Sequence, residues 1–327
     1  MKTIDVTGMG HALMDIIVEV DDNFLEKMHV KKGSMTLIDA KQYNGLIHSL
    51  SGKHLTQAAG GSAANTIKGV SVLGGRSEFM GTVGNDIYGK AYEKLLSDMH
   101  VESRLSKIQK NTGISVICVT PDKDRTMMTY LGAAAEFGEK DVNERSINDS
   151  QILHIEGFFI GNPQTENAVI AAMKIAKESG TKISMDLSDA GLIQAKLDSF
   201  KTLLREYVDI VFVNEHEAKA FTGVEEEDAV NVLGKYCDVA IVKIGSRGSL
   251  IKHDGKLYKI PINKVKVVNT NGAGDAYAAG ILYSIAHNIP LDKAGKIAAY
   301  ISSLVVANSH ATLDYSLKDY VKRILEE

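Results

Sequence analysis

The C-terminal half of the chain alternates apolar runs with stretches of helical spacing. Apolar runs of strand length lie at residues 181–187, 208–214 and 239–246. The apolar positions of residues 197–207 and 225–236 recur every three or four residues, which is the spacing of an amphipathic helix. Strands and helices that alternate in this order predict a mostly parallel sheet with right-handed crossovers. We therefore predict an α/β fold with a mostly parallel central sheet flanked by helices.

Two stretches depart from this alternation and predict a small separate group of strands. Residues 114–120 and 125–132 alternate apolar and polar positions with a period of two on either side of a short turn, as in a β-hairpin. Residues 34–39 form another short run of the same kind. We predict that these strands, from about 11–40 and 112–132, form a small antiparallel lid over a site on the main sheet.

The composition argues against several functional classes. Hydrophobic residues make up 44% of the chain, and 37 Lys and Arg against 41 Asp and Glu give a net charge of −4. No run of like charge stands out, so we expect neither a nucleic-acid partner nor an anionic membrane partner. Cys118 and Cys237 lack the spacing of metal ligands and are expected to be free thiols. Asp5 and Asp15 interrupt the N-terminal apolar run, unlike a signal peptide or membrane span, so we expect a cytoplasmic protein.

The motif that points most directly to chemistry is NTNGAGDAYAAG at residues 269–280. It follows a predicted strand at 264–269 and opens a helix-like run. The small residues directly before Asp275 are Gly272, Ala273 and Gly274. A helix N-terminus has unpaired N–H groups and partial positive charge, so small residues there let an anion reach the backbone. Asp275 can then be a general base for phosphoryl transfer, or only an acid that stabilises the first helical turn.

This motif resembles the C-terminal signature of the PfkB/ribokinase-like sugar and nucleoside kinases, usually written D-T-x-G-A-G-D. The N-terminal signature of that family resembles residues 59–89, which contain a glycine pair, an asparagine and later glycine turns. The matching positions are Gly60, Gly61, Asn65, Gly74, Gly75, Gly81, Gly84, Asp86 and Gly89. The resemblance covers essentially the whole chain. It implies one ribokinase-like domain over residues 1–327, a three-layer sandwich with a small antiparallel β lid.

The resemblance also implies roles for individual residues. The general base would be Asp275, with the backbone around Gly272, Ala273 and Gly274 facing the transferred phosphoryl group. The acceptor would be held by Asp15, Gly60, Gly61, Asn65 and, for a nucleoside base, Phe158 or Phe159. ATP and Mg²⁺ would lie beside Asn214, Glu217, Lys243, Gly245 and Gly248. Glu217 would position Mg²⁺ largely through water, and Arg125 could reach a phosphate from the lid.

Two positions depart from the family pattern. Asn269 stands where the family usually has an aspartate near a bound monovalent cation, and it keeps a carbonyl oxygen but loses the charge. We therefore expect weak or absent activation by K⁺. His11 stands where many relatives have asparagine, which alters the contacts expected at the sugar end of the site.

The resemblance implies transfer of the γ-phosphoryl group of Mg·ATP to a primary hydroxyl of a small sugar, with fructose as the first candidate. Residues 131–137 and 156–163 are similar to segments of adenosine kinases, so a nucleoside acceptor is the alternative, although core packing explains both segments equally well. A ligand-binding protein without turnover is a remote alternative, because it would be expected to lose the base or the anion site. A dehydrogenase is disfavoured because Leu13 stands where a dinucleotide fingerprint needs its third glycine. The family also implies that lid strands can pair two subunits in a homodimer.

Overall fold

The computed structural model describes residues 2–308 and 310–326. The strands, numbered in chain order, are β1 Ile4–Met9, β2 Leu13–Glu19, β3 Met35–Leu37, β4 Thr56–Gly60, β5 Ser77–Gly84, β6 Glu102–Ile108, β7 Gly113–Val119, β8 Arg125–Tyr130, β9 Ser150–Glu156, β10 Lys182–Asp186, β11 Ile210–Asn214, β12 Val239–Lys243, β13 Ser249–His253 and β14 Lys256–Ile260.

The α-helices are numbered in the same way. They are α1 Asp22–Lys27, α2 Ala40–Ser49, α3 Ser62–Leu73, α4 Ile87–Asp98, α5 Glu144–Asp149, α6 Pro163–Ser179, α7 Ala190–Ala195, α8 Leu197–Glu206, α9 Glu215–Thr222, α10 Glu226–Leu233, α11 Ala273–Ala286, α12 Leu291–Val306 and α13 Lys318–Glu326. Short 3₁₀ turns lie at Gly132–Glu136, Glu139–Asp141, Gly157–Gly161 and Gly245–Arg247.

The larger sheet has the strand order β14-β13-β12-β11-β10-β9-β1-β5-β6. Its pairings are parallel from β12 through to β6, and the β13–β14 hairpin extends it in antiparallel fashion at one edge. This confirms the predicted mostly parallel central sheet. Because β1 has β9 on one side and β5 on the other, the direction of winding reverses at β1. In open α/β sheets, ligands bind outside the carboxyl ends of the strands at such a reversal.

Helices cover both faces of this sheet, and the apolar strands divide their side chains between two cores. On β11, Ile210 and Phe212 belong to the core under α3, α11 and α12, whereas Val211 and Val213 belong to the core under α6, α8, α9 and α10. A strand buried on both faces carries a continuous apolar run rather than an alternating one. That is why the runs in the C-terminal half identified its strands correctly.

The second sheet forms the lid, with the order β3-β8-β7-β2-β4. The β2–β4 and β7–β8 pairs are antiparallel, but the β2–β7 and β3–β8 pairs are parallel. The predicted small second sheet is present, but its strands are mixed rather than all antiparallel, and β4 lies outside the predicted ranges. The hairpin pattern identifies only strands joined by a tight turn, whereas parallel strands pair across long connections that leave no local signal.

The strand predicted at residues 264–269 is absent from the described structure, where this segment has no regular secondary structure and belongs to neither sheet. The backbone N–H groups of Val268 and Asn269 donate instead to the carbonyl of Val306, at the end of α12. Val267 is 66% exposed. The alternation of valine and lysine in this segment resembled a strand, but such a pattern cannot supply the neighbouring strand that a ladder requires.

His154 lies inside the central sheet and gives the first testable prediction, on stability against acid. It is fully buried on β9, its Nδ1 lies 3.0 Å from Ser184 Oγ, and its Nε2 has no hydrogen-bond partner among the described residues. Burial lowers its pKa to about 4. An unfolded histidine titrates near 6.5, so between those two values the unfolded chain binds a proton that the folded chain does not.

As the pH falls from about 6.5 towards 4, His154 takes up a proton in the unfolded chain but not in the folded one. The free energy of unfolding should therefore fall by about 1.4 kcal/mol per pH unit. We expect His154→Leu to lack this component, so that wild type and variant diverge in pH slope over this window when unfolded in urea. His48→Leu changes an exposed histidine of α2 and should keep the wild-type slope. Equal slopes for His154→Leu and wild type would contradict this explanation.

Candidate active site

Polar side chains gather where the parallel strands end. The residues at or just after these carboxyl ends are His11 after β1, Glu156 on β9, Asp186 on β10, Asn214 on β11 and Lys243 on β12. The N-terminus of α3 reaches the N-terminus of α11 at the same edge, because side chains of α3 contact Asp275. The structure therefore brings both sequence motifs together beside the strand where the winding reverses.

Asp275 lies in the first turn of α11 and is held from two sides. Its Oδ1 accepts a hydrogen bond from Ser62 Oγ at 2.8 Å, and its Oδ2 accepts one from Asn65 Nδ2 at 2.9 Å. Burial raises its pKa to about 6, although these two hydrogen bonds oppose the rise. Asp275 is thus an oriented carboxylate whose proton affinity lies near neutrality, as general-base chemistry requires.

The backbone in front of Asp275 is bare. Gly272 has a φ of 77°, and a Cβ there would overlap the carbonyl of Ala311. A Cβ on Gly274 would lie 3.1 Å from Lys243 Nζ. The start of α11 therefore combines small side chains, the positive end of a helix and a lysine ammonium, although the Ala273 N–H already donates to the carbonyl of Thr270. These features together suit a phosphate-bearing ligand.

Lys243 and Asp186 form an ion pair beside this helix end, with Nζ and Oδ2 2.7 Å apart and little solvent exposure. The pKa of Glu217 is raised to about 7. Burial is the largest cause, nearby Asp186 also raises the pKa, and Lys243 lowers it. Asp186 on β10, Lys243 on β12 and Glu217 at the start of α9 therefore form a charged group around the end of β11.

The N-x-x-E motif at Asn214 and Glu217 is a capping box at the start of α9. The backbone N–H and Nδ2 of Asn214 donate to Glu217 Oε2 and Oε1 at 2.7 and 2.6 Å, and Asn214 Oδ1 accepts from the Glu217 N–H at 2.9 Å. Capping therefore accounts for both residues locally. Binding of Mg²⁺ or phosphate by Asn214 and Glu217 would be a second role besides capping α9.

The donors suit Mg²⁺ only as part of a nucleotide complex. Within residues 2–308 and 310–326, no group of three or more His, Cys, Asp or Glu side chains could hold a metal ion. Magnesium in kinases keeps several waters and is held by one or two carboxylates together with substrate phosphates. Asp186 and Glu217 match that limited demand.

The lid side of the site contains Asp15, on β2. A Cβ on Gly60 would overlap the Asp15 carboxylate, so the glycine makes room for it. Gly61 follows with a φ of 96° and leads into α3. Burial raises the pKa of Asp15 to about 7, Lys68 opposes this rise and Asp275 adds to it. Asn65 Oδ1 is buried without a partner among the described residues, which suits a hydroxyl donated by a ligand.

Glu156 was missed from the sequence, and it joins three elements at the carboxyl edge. Its Oε1 accepts from the backbone N–H of His11 at 2.9 Å and lies 2.6 Å from His11 Nδ1, while its Oε2 accepts from the Ala63 N–H at 3.0 Å. Both Glu156 and His11 are buried. Their pairing fixes the imidazole at the end of β1, next to the start of α3.

Phe158 and Phe159, one of which is expected to stack on a nucleoside base, differ in exposure. Phe159 has no exposed surface and packs edge-on against His11, with ring centroids 4.6 Å apart, and against Phe137. In this conformation Phe159 supports His11, whereas Phe158 is partly exposed. Ala133 and Ala134, in the other adenosine-kinase-like segment, are fully buried. Base stacking by either phenylalanine stays a prediction.

The remaining predicted residues lie on three other segments. Gly245 and Gly248 form the turn after β12, where Gly245 is exposed. Arg125 begins β8 of the lid and is partly buried. Asn269 is buried, and its Oδ1 accepts from the Asn271 N–H at 2.9 Å.

Across the described part of the chain, no helix is both long enough and apolar enough to span a bilayer.

Solved kinases share this fold over nearly the whole chain. A structure named a probable sugar kinase protein from Rhizobium etli CFN 42 is 32% identical, covers 99% of each chain and has a TM-score of 0.91. The adenosine kinase of Sinorhizobium meliloti is also 32% identical, with a TM-score of 0.89 and coverage of 98% of this chain and 99% of that chain. The fold is thus that of a ribokinase-like kinase.

A family model narrows this class further. The model for the pfkB family carbohydrate kinases matches residues 27–317. Adenosine kinase 2 of Arabidopsis thaliana is 28% identical over 93% of this chain and 94% of its own length. The chain belongs to the PfkB family of carbohydrate kinases and is a phosphotransferase with a hydroxyl acceptor.

Proposed function

We propose that this protein transfers the γ-phosphoryl group of Mg·ATP to a hydroxyl group of a nucleoside, with adenosine as the first acceptor to test. The observation that carries the proposal is Asp275, held by Ser62 and Asn65 at the uncovered N-terminus of α11. The choice of acceptor rests on the full-length relatives that are named adenosine kinases. Adenosine thereby replaces fructose as our first candidate, and a sugar remains second because another relative is named a sugar kinase.

In the proposed reaction, Asp275 orients the acceptor hydroxyl and takes its proton. The hydroxyl oxygen forms a bond to the γ-phosphorus while the bond from that phosphorus to the β–γ bridging oxygen breaks, and ADP leaves. The N–H groups around Gly272 and Gly274 stabilise charge on the phosphoryl group in flight. Phosphoryl transfer of this kind depends on positioning and electrostatics, which the rigid start of α11 provides.

The acceptor would be bound by groups that take hydrogen bonds from hydroxyls. Asp15 offers a carboxylate, and Asn65 offers the buried Oδ1 that has no partner among the described residues. Gly60 and Gly61 let the Asp15 carboxylate and the His11 carbonyl approach the backbone closely. If these oxygens accept hydrogen bonds from the other hydroxyl groups of the substrate, its reacting hydroxyl is left to contact Asp275.

The nucleotide would extend from α11 towards β12. Lys243 would contact its phosphates, and Gly245 and Gly248 would border the remainder of ATP. Mg²⁺ would be bound by the phosphates, with Asp186 and Glu217 orienting its waters. Bound there, the ion supplies charge neutralisation at the β- and γ-phosphates.

A panel of ADP-release assays tests this function. Mg·ATP is supplied with adenosine, ribose, fructose or 2-keto-3-deoxygluconate, and we expect the highest kcat/KM with adenosine. A higher kcat/KM for fructose would overturn the choice of acceptor but keep the kinase assignment. Retained ligand binding without ATP turnover on any acceptor would favour a binding protein and overturn the proposal.

The second prediction concerns monovalent cations. The side chain of Asn269 is neutral, so it lacks the negative charge that favours a bound cation. Its Oδ1 also already accepts a hydrogen bond from the Asn271 N–H. We expect K⁺ added to a K⁺-free assay to leave kcat unchanged. Asn269→Asp restores the carboxylate and should create K⁺ stimulation. A several-fold increase with wild type would show that the loss of this charge does not abolish activation.

A further inference from the structure

Lys68 is a buried cation that ties three parts of the molecule together. It lies on α3 and is only 3% exposed. Its ammonium donates to the carbonyl of Ala59 on lid strand β4 and lies 3.5 Å from Thr312 Oγ1, in the segment between α12 and α13. A buried ammonium is costly unless it is paired, so its place here calls for an explanation.

The contacts of Lys68 lead directly to the acceptor side. Ala59 is paired with Met14 across the β2–β4 ladder, one residue before Asp15. The next carbonyl of β4, that of Gly60, accepts from Tyr92 Oη at 2.9 Å. Two consecutive carbonyls at the base of the lid are therefore held by buried donors from α3 and α4, directly beside the Asp15 carboxylate.

We propose that Lys68 is a positioning residue for the acceptor site, which fixes the base of lid strand β4 and supplies the positive charge that Asp15 faces. The proposal rests on the proposed function, because Asp15 matters in this way only if it binds an acceptor. Lys68 itself need not touch the reacting atoms.

The electrostatics of the neighbouring groups support this role. Burial lowers the pKa of Lys68 to about 8, and the attraction of Asp15 and Asp275 opposes that fall. Conversely, Lys68 opposes the burial that raises the pKa of Asp15 to about 7. The charged and titratable groups around the lysine and Asp15 are Asp15 from β2, Asp275 from α11, Tyr92 from α4 and Glu156 from β9. Lys68 is the cation among them.

Removing this charge should move the titration of the acceptor site. In Lys68→Met, burial and Asp275 would act on Asp15 unopposed, so its pKa should rise above the present value of about 7. We expect the acid limb of the kcat/KM profile for the acceptor to shift to higher pH by about one unit, because a neighbouring opposite charge changes a pKa by that order. At alkaline pH, kcat should stay near the wild-type value.

Thr312→Val is the matched control. It removes one neighbour of the ammonium but keeps its charge, so the acid limb should stay at the wild-type pH. The same shift for both variants would indicate that only the link between α3 and the C-terminal segment matters. An unchanged acid limb in folded Lys68→Met would overturn the electrostatic role.

If Lys68→Met does not fold, Lys68→Arg is measured in its place. Arginine keeps the charge but cannot reproduce the compact ammonium at the Ala59 carbonyl. We expect a raised acceptor KM with the acid limb unmoved, whereas an unchanged KM would overturn the positioning role. Calorimetric binding of the acceptor across pH gives the same comparison without turnover. Failure of wild type to phosphorylate any acceptor would refute the proposed function instead, and the two failures are distinguishable.

Discussion

Replacing Asp275 by Asn should lower kcat by at least ~10²-fold, with little change in the KM of the acceptor. The amide has nearly the same shape as the carboxylate but cannot take the proton of the attacking hydroxyl. In the proposed function Asp15 and Asn65 bind the acceptor. The new amide can keep its oxygen towards Asn65 Nδ2 and donate from its own Nδ2 to Ser62 Oγ, so Asn65 stays in place. Steady-state ADP release should be measured near pH 8, above the raised pKa of about 6, where wild-type Asp275 is ionised.

Asp292→Asn is the matched control for this experiment. Asp292 lies in the first turn of the neighbouring helix α12 and is exposed, so it shares the helix position of Asp275 without its surroundings. We expect wild-type kcat from Asp292→Asn. If Asp275→Asn also kept nearly full turnover, Asp275 would be only an acid that stabilises a helix start.

Much of the central sheet could be predicted from the sequence, for a clear physical reason. The apolar runs at 181–187, 208–214 and 239–246 correspond to β10, β11 and β12, with only the ends displaced. These strands are buried on both faces, so apolar residues fill most of their positions. The lid lacks such a signal: β4 reads TQAAG and has exposed residues at its start.

The family signatures located the catalytic motif but not the residues that orient it. Asp275 could be found because small residues precede it in one continuous motif. Ser62 lies within the upstream motif, but nothing in its own surroundings indicates that it bonds an acid more than 200 residues later. Glu156 and Asp186 each end an apolar run, and that position was the available signal. Their place in the site depends on the pairing of β9 and β10, which brings the carboxyl ends of these strands side by side only in the folded chain.

Phe159, one of the two predicted base-stacking residues, shows the opposite limit. Phe159 follows a strand and lies near the site, as a base-stacking residue would. Its burial against His11 and Phe137 depends on neighbours contributed by other parts of the chain. A local motif can therefore place a residue near a site without deciding whether it faces the ligand or the core.

Gly60→Ala should raise the KM of the acceptor by about 10²-fold while ATP binding is retained. The added Cβ would overlap the Asp15 carboxylate, and this short side chain can escape only by rotating away from its present position. The hydrogen bond from Tyr92 to the Gly60 carbonyl and the contact of Lys68 with Ala59 prevent β4 from retreating. The expected result is a folded protein with a displaced acceptor carboxylate, measured by acceptor kinetics and by titration with ATP.

Gly45→Ala provides the same chemical change in lid helix α2, where nothing lies within 4 Å of the added Cβ. It should leave the acceptor KM unchanged, and alanine is the better helix former there. A wild-type acceptor KM in Gly60→Ala would mean that Asp15 can move without loss and does not bind the acceptor. Equal losses of ATP and acceptor binding would instead indicate damage to the lid as a whole. Only a selective loss on the acceptor side supports the placement of Asp15 and Gly60 in one acceptor site.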